Sequence, residues 1–347
     1  GRGYLKELGD WLKQLLEQYK ATNVLHAQAL AVHSLCTFRH GDFFETIKLA
    51  QQSLQMAQTV SDKHTEALSL AFLGVFMSVQ GNVGDGTPLL EQALAIYRSL
   101  GDKIGQADTT EWLSLNNNDM ERAIAYAKES IALTREMDGL SGMVSRLCTL
   151  SRLAFWMGDF TSPFIWLEEA LSISRQLGDQ ALEAGALYTY GCFAYWLRDY
   201  PQAIVYYEEA ILLSEKIGDH YHNLWVHVYM AYAVLHQGEI EQAREMFRES
   251  IQSTEKTGLM IALVFAIEGL ASLNVNQGNV ERAAMFFAWA DATRDVIGDH
   301  RPPIEQNSVE RDLAVIHSKL NDNEFARLSA EGRKMTVEQA IAFALEE

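Results

Sequence analysis

Seven turn signals, almost evenly spaced, divide this chain into repeats. They read Gly41-Asp42-Phe43, Gly81-Asn82-Val83, Asn118-Asp119-Met120, Gly158-Asp159-Phe160, Arg198-Asp199-Tyr200, Gly238-Glu239-Ile240 and Gly278-Asn279-Val280, with successive separations of 40, 37, 40, 40, 40 and 40 residues. A second series falls about 20 residues out of phase, at Ser61-Asp62, Gly101-Asp102, Asp138-Gly139, Gly178-Asp179, Gly218-Asp219, Gly258 and Gly298-Asp299. Each repeat is therefore expected to hold two helices of about 16 residues, each closed by a short turn. Glycine suits the left-handed residue after a helix, and the Asp behind it accepts from the first amides of the next helix. Such a unit cannot bury its apolar face alone and must stack on its neighbours, so a length of 347 residues does not translate into a count of globular domains.

Residue size follows the same period. Seven positions before the turn, the first helix carries Ser34, Gly74, Ser151, Gly191, Ala231 and Ala271. Five positions after it, the second helix carries Thr46, Gly86, Ala123, Pro163, Ala203, Ala243 and Ala283. A large residue follows four later, as at Leu90, Leu167, Tyr207, Phe247 and Phe287. Three later again comes a small one: Ser53, Ala93, Ser130, Ala170, Ala210, Ser250 and Ala290. Small against large at these intervals lets adjacent helices approach closely and interlock. The third unit is three residues short, and a shortened helix is expected between Gly105 and Asn118. Pro163, Asn118 and Arg198 depart from the pattern of their columns.

Composition narrows the function. A net charge of −18, from 46 acidic and 28 basic residues, disfavours binding to nucleic acid or an anionic membrane, because phosphate contacts need a basic stripe. Cys36, Cys148 and Cys192 are scattered and fit a reducing cytoplasm better than a disulfide framework or a zinc site. The longest apolar candidate for a membrane span, Leu224 to Leu235, is short and interrupted by His227. The chain opens on Gly1-Arg2-Gly3 rather than Met and is read as a fragment of a longer protein.

The columns resemble the tetratricopeptide repeat in its longer, 40-residue form, from about Ala21 to Val296. The expected fold is all-α, a right-handed superhelical solenoid of about seven helix pairs with helical caps. Residues 1–20 would be the last helix of a preceding repeat, 21–300 the seven repeats, and 301–347 a C-terminal cap. That cap is read as helices over Ile304 to Leu320, Asn323 to Ala330 and Val337 to Leu345, the last opened by a capping box of Thr336 and Gln339. Its Pro302-Pro303, Glu310-Arg311, Phe325-Ala326, Glu331-Gly332-Arg333 and Thr336-Val337-Glu338-Gln339-Ala340 resemble the ending of STAND-class bacterial signalling ATPases, including LuxR-type transcriptional regulators. The resemblance implies a cytoplasmic sensor that binds an inducer, whether small molecule, peptide or protein, and signals to an upstream ATPase module absent from this segment. The alternative is a constitutive scaffold that holds a peptide segment of a protein partner.

Candidates for chemistry are weak. Gly81 to Thr87 is glycine-rich and opens a helix, but lacks the Lys of a phosphate loop. The pairs Glu168-Glu169 and Glu208-Glu209 diverge on their helices and read as solvated faces. His220, His222, His227 and His236 lack metal-ligand spacing. No catalytic residue, metal or cofactor is assigned to this segment, and it is read as not an enzyme. The resemblance places a concave binding surface on the first helix of each unit. Counting back 13, 10, 6, 3 and 2 residues from each turn gives Ser145, Cys148, Arg152, Phe155 and Trp156, then Gly185, Tyr188, Cys192, Tyr195 and Trp196. It then gives Trp225, Val228, Tyr232, Leu235 and His236, with Phe265 and Glu268 from the seventh unit, and Trp112 and Asp108 from the third. Phe155 and Leu235 are expected to share in packing between helices. The groove proper is assigned to Trp112, Arg152, Trp156, Tyr188, Tyr195, Trp196, Trp225, Tyr232, His236 and Glu268, since Tyr and Trp combine large contact area with a polar handle.

Overall fold

The computed structural model describes residues 2–39, 42–79, 83–117, 119–137, 139–218, 220–257 and 259–346. Its helices are α1 (Arg2–Gln18), α2 (Val24–Arg39), α3 (Phe43–Thr59), α4 (Lys63–Val79), α5 (Val83–Leu100), α6 (Lys103–Leu115), α7 (Met120–Glu136), α8 (Leu140–Trp156) and α9 (Ser162–Leu177). They continue as α10 (Gln180–Trp196), α11 (Tyr200–Ile217), α12 (His220–His236), α13 (Ile240–Thr257), α14 (Met260–Gln277), α15 (Val280–Ile297), α16 (Pro303–Lys319), α17 (Asp322–Gly332) and α18 (Val337–Leu345). Among the described residues there is no strand. As the shortened repeat requires, α6 has 13 residues where its neighbours α5 and α7 have 18 and 17.

The turns work as the sequence chemistry dictates. Asp42, Asp102, Asp119, Asp159, Asp179 and Asp199 each accept from a backbone amide in the first turn of the next helix. Gly158, Gly238 and Gly278 take positive φ after their helices. Arg198 stands at the same place in its repeat and adopts φ 65°, so the position demands left-handed backbone even from a residue with a Cβ. The turn residues Gly41, Gly81, Asn82, Asn118, Asp138, Asp219 and Gly258 lie outside the described residues.

The chain forms two compact units: residues 1–189 with 210–223, and residues 190–209 with 224–347. In the first unit, α4 and α5 meet where a Cβ on Gly86 would collide with Ser78 Oγ and the Gly74 carbonyl. That contact accounts for Gly86 as close helix packing, where the sequence also allowed a phosphate cradle, while a Cβ on Gly84 would meet open space. Ser53 Oγ donates to the Ala27 carbonyl at 2.8 Å, and Ser130 Oγ, in the same column two repeats later, donates to the Ala107 carbonyl at 2.6 Å. Small polar residues thus tie second helices to first helices through buried bonds that lose little to water. Pro163 sits in the first turn of α9, where its missing N–H is no loss, and its carbonyl accepts from Ser151 Oγ.

In the second unit, Tyr207 packs onto Gly191 and Phe247 onto Gly269, with no room for a Cβ at either glycine. The small and large columns are buried throughout, from Ala203, Tyr207, Ala243 and Phe247 to Ala271, Ala283, Phe287 and Ala290. The most apolar long helix is α14, 18 residues with mean hydropathy 1.3, which is long and apolar enough to cross a membrane. This displaces Leu224 to Leu235 as the longest such stretch. Here α14 is a core helix between α13 and α15, and it carries a buried glutamate, Glu268. Beyond the repeats, α16 and α17 pack on α15, and α18 touches α13. The box of Thr336 and Gln339 opens α18, and a second one, Asn321 with Glu324, opens α17.

Candidate functional site

The second unit contains a cleft of about 650 Å³, built from the first helices of successive repeats on one side and from α16 on the other. Tyr195 and Trp196 come from the end of α10, Tyr229, Tyr232 and His236 from α12, and Phe265, Glu268 and Ser272 from α14. Tyr200 of α11, Arg301 and the first turns of α16 complete the wall. The aromatic residues form one cluster around Tyr195, whose ring centroid lies 5.9 Å from Tyr200, 6.2 Å from Tyr229 and from Tyr232, and 5.8 Å from His236. His236 stacks on Tyr200 at 4.8 Å, and Phe265 lies 5.9 Å from Tyr229. These separations and tilts are those at which aromatic quadrupoles attract. Tyr232 Oη donates to the Phe265 carbonyl at 2.8 Å, which fixes α12 against α14. Burial raises the Tyr195 and Tyr232 phenols well above the usual range, so both rings stay neutral.

Two carboxylates at this cleft behave differently. Glu268 is bound on both oxygens by Arg294, with Nε and Nη2 each at 2.9 Å, and also accepts from Arg301 Nε at 2.9 Å. Burial alone would raise its carboxyl, but Arg294 and then Arg301 hold it below the ordinary value. Arg294 also pairs with Asp299 and lies 4.5 Å over the Phe265 ring, while Arg301 reaches Asp291 at 2.6 Å. Glu268, assigned to the groove from sequence as an acid with no reason to be in a core, is thus held in a closed ion cluster. Glu305, in the first turn of α16, accepts from Tyr229 Oη at 2.7 Å on Oε1. Its Oε2 is buried and has no hydrogen-bond partner among the described residues. Burial pushes the Glu305 carboxyl up to about 7, against the Tyr229 bond and Arg294, with Glu268 and Asp299 adding to the rise.

Of the ten residues assigned to the groove from sequence, the cleft brings together Tyr195, Trp196, Tyr232, His236 and Glu268. Trp225 is not among its lining residues; its ring stands edge-on to Phe265 at 5.5 Å. Trp112, Arg152, Trp156 and Tyr188 belong to the first unit and are each half-buried. Nearby in that unit, Arg146 of α8 donates to Ser130 at 2.7 Å, pairs with Asp108, and lies 3.8 Å from Glu111. Burial pushes the Glu111 carboxyl up to about 6 against the pull of Arg146, and pushes the Cys148 thiol up to about 12 against Arg152. Of the residues counted onto the groove face, Phe155 and Leu235 are buried as expected of packing residues, and Cys148, Cys192 and Val228 are core as well. The count missed Tyr229, one position from Val228, and it missed Arg301 and Glu305, which lie beyond the last repeat and have no register to count from.

Comparison with known proteins agrees with the helix-pair geometry. Residues 182–256 match the model of the tetratricopeptide repeat. No curated protein matches the chain in sequence. Among solved structures, a Rap protein complexed with Competence and Sporulation Factor superposes with a TM-score of 0.67 at 16% identity, over 98% of this chain and 93% of that one. The Rap conjugation gene regulator of the plasmid pLS20, in complex with the Phr* peptide, gives 0.60 at 13% identity, over 73% and 68%. A STAND protein with a tetratricopeptide repeat sensor from Pyrococcus horikoshii gives 0.50 at 15% identity; the match covers 90% of this chain and 46% of that one. At these identities the likeness establishes the fold. It is all-α, of the tetratricopeptide α-solenoid type.

Proposed function

We propose that this chain is the ligand-recognition part of a signalling protein and takes a peptide or small-molecule inducer in the cleft of its second unit. The observation that carries the reading is the cleft itself: aromatic side chains from α10, α12 and α14 converge on one cavity, and α16 closes it. Its volume lies in the range of about 300–1,000 Å³ usual for small-ligand sites, and its aromatic side chains share the lining with a comparable number of charged and polar ones. Support comes from the pLS20 regulator, a tetratricopeptide-type neighbour solved with a peptide. In this reading residues 21–300 are the recognition array and residues 1–20 and 301–347 its caps. The parent is a cytoplasmic STAND-type ATPase or transcriptional regulator, whose upstream module receives the signal. The chain itself performs no chemistry and needs no cofactor. A ligand that grips α16 together with α12 would alter how firmly the tail is held, and so bias two states of the array.

Native and denaturing mass spectrometry of the purified chain, followed by tryptophan fluorescence titration with any species recovered, tests this. A bound species lost in Tyr195→Ala and retained in Trp112→Ala supports the cleft. Retention in Tyr195→Ala with loss in Trp112→Ala would move the site to the first unit. Hydrogen exchange in α16 that does not respond to the ligand would leave a constitutive scaffold.

A further inference from the structure

Among the described residues, the Glu305 carboxylate leaves one of its oxygens in the cleft without a hydrogen bond. Glu305 Oε2 is shielded from solvent and has no hydrogen-bond partner among the described residues, while Oε1 is engaged by Tyr229. A buried acceptor without a donor is costly, and a ligand that brings a donor recovers that cost. The guanidiniums closest to hand are committed: Arg294 and Arg301 are both engaged with Glu268, and each has a further acid, Asp299 or Asp291. Three glutamates and three arginines line the cleft, so no bulk charge selects the ligand. Selection falls to the local environment of Glu305, which is bonded by Tyr229 and shares the cleft with Tyr195 and Phe265.

We propose that this corner of the cleft binds an alkylammonium group, with Glu305 Oε2 accepting its proton and the rings of Tyr195, Tyr229 and Phe265 enclosing its charge. The inference rests on the reading of the cleft as a ligand site and names the chemistry that site prefers. A carboxylate supplies charge-assisted bonding, and aromatic walls attract a cation while excluding water from it. A phosphate or carboxylate ligand would meet an acceptor here and find no donor on Glu305 in its ionised form. The ammonium could be a lysine side chain or amino terminus within a peptide, or a free amine; the chemistry at Glu305 is the same. Because Glu305 shares protons with its surroundings near neutral pH, ammonium binding draws it into the ionised form and expels a proton. The groups that face it are Tyr195 of α10, Tyr229 and Tyr232 of α12, Glu268 of α14, Arg294 of α15 and Asp299 beyond α15.

Three probes decide the matter: N-acetyl-lysine-N-methylamide, its neutral isostere N-acetyl-norleucine-N-methylamide, and butylammonium. Binding is read by saturation-transfer NMR and by calorimetry in two buffers of different ionisation enthalpy, for the whole chain and for Glu305→Gln. Gln keeps an acceptor for Tyr229 and removes a buried acid, so the variant is expected to fold. Expected are preference for lysine over norleucine of about tenfold or more, loss of that preference in Glu305→Gln, and proton release at pH 7 that disappears in the variant. Lysine bound better than butylammonium assigns the ammonium to a peptide; the reverse assigns it to a free amine. Equal binding of lysine and norleucine, unchanged by Glu305→Gln, overturns the ammonium assignment while leaving the cleft as a ligand site. No binding of any probe overturns it too, and the recovered-ligand experiment with Tyr195→Ala then judges the cleft separately.

Discussion

Asp108 and Glu268 stand at the same place in two repeats, each ten residues before the turn signal, yet they meet opposite fates. Asp108 has a side chain 61% exposed and pairs with Arg146, itself only 5% exposed. Glu268 is 5% exposed and is gripped by Arg294 and Arg301, which are 4% and 9% exposed. In the first unit one buried cation is shared by two acids, Asp108 and Glu111; in the second one buried acid is shared by two cations. The first cluster keeps a route to water through Asp108. The second is closed, because residues after the repeats lie over it: Arg301 precedes α16, and α16 packs against α14 and α15. An acid in this column is therefore neither a groove residue nor a core residue by its own nature. What comes next in the chain decides.

The largest effect should come from breaking the closed cluster. Glu268→Gln leaves two guanidiniums buried without their shared carboxylate, and is expected to destabilise the second unit by about 3–5 kcal/mol, tempered by Asp299 and Asp291. Asp108→Asn removes an exposed partner and leaves Glu111 beside Arg146, so about 1 kcal/mol or less is expected. Hydrogen exchange in α14–α16 against α6–α8 reads the two separately, which a single melting temperature for a repeat array does not. Equal losses would mean that the difference in burial carries no energy. Replacing Glu268, Arg294 and Arg301 together by apolar residues should recover much of the loss, since a buried ion cluster gains little over good apolar packing.

The next effect is a pH dependence that differs between the units. Glu305 titrates in the folded state near 7 and Glu111 near 6, both above the ordinary 4.5. A raised acid favours the folded state fully below 4.5, where both states hold the proton. As pH rises, the unfolded chain releases its proton first and stability falls until the folded pKa is passed. The first unit should therefore level off near pH 6, while the second continues to weaken to about pH 7. At about 1.4 kcal/mol per pKa unit, Glu305 accounts for no more than about 3.5 kcal/mol. Glu305→Gln should flatten the fall in α16 exchange between pH 4.5 and 7 and leave that in α6–α8 untouched. A variant with the same slope in α16 would remove Glu305 as its source.

The contrast also shows what could be read from the chain. The helix-pair period, the short α6, the small and large columns and the last capping box depend on local chemistry and nearest neighbours, and each stands in the residues themselves. Tyr195, Trp196, Tyr232 and His236 could be found because their place in the repeat is fixed by counting. Val228 and Tyr229 show the limit of the count: one position of helical rotation, about 100°, separates a core valine from a cleft tyrosine. Glu305 was beyond reach, because its role depends on how a helix outside the period docks on α14 and α15. The bond from Tyr229 to Glu305 spans 76 residues, and nothing local announces it.

The smallest effect should come from pairs that resemble these clusters on paper but lie in water. Lys103 and Glu136 link α6 to α7 at 2.7 Å, with side chains 53% and 57% exposed. Arg98 and Glu129 link α5 to α7 at 2.8 Å, also largely exposed. Both lie in the first unit and share α7 with the Arg146 cluster, which reaches it through Ser130. Water already solvates these charges, so pairing gains little Coulomb energy and orders two long side chains. Lys103→Ala and Arg98→Ala should each change stability by under about 1 kcal/mol, and 0.5 M salt should erase even that. Salt should leave the loss in Glu268→Gln nearly intact, because ions do not reach that cluster. If salt weakened both to the same degree, the second unit's cluster would have to be open to solvent, and the contrast between Asp108 and Glu268 would collapse with it.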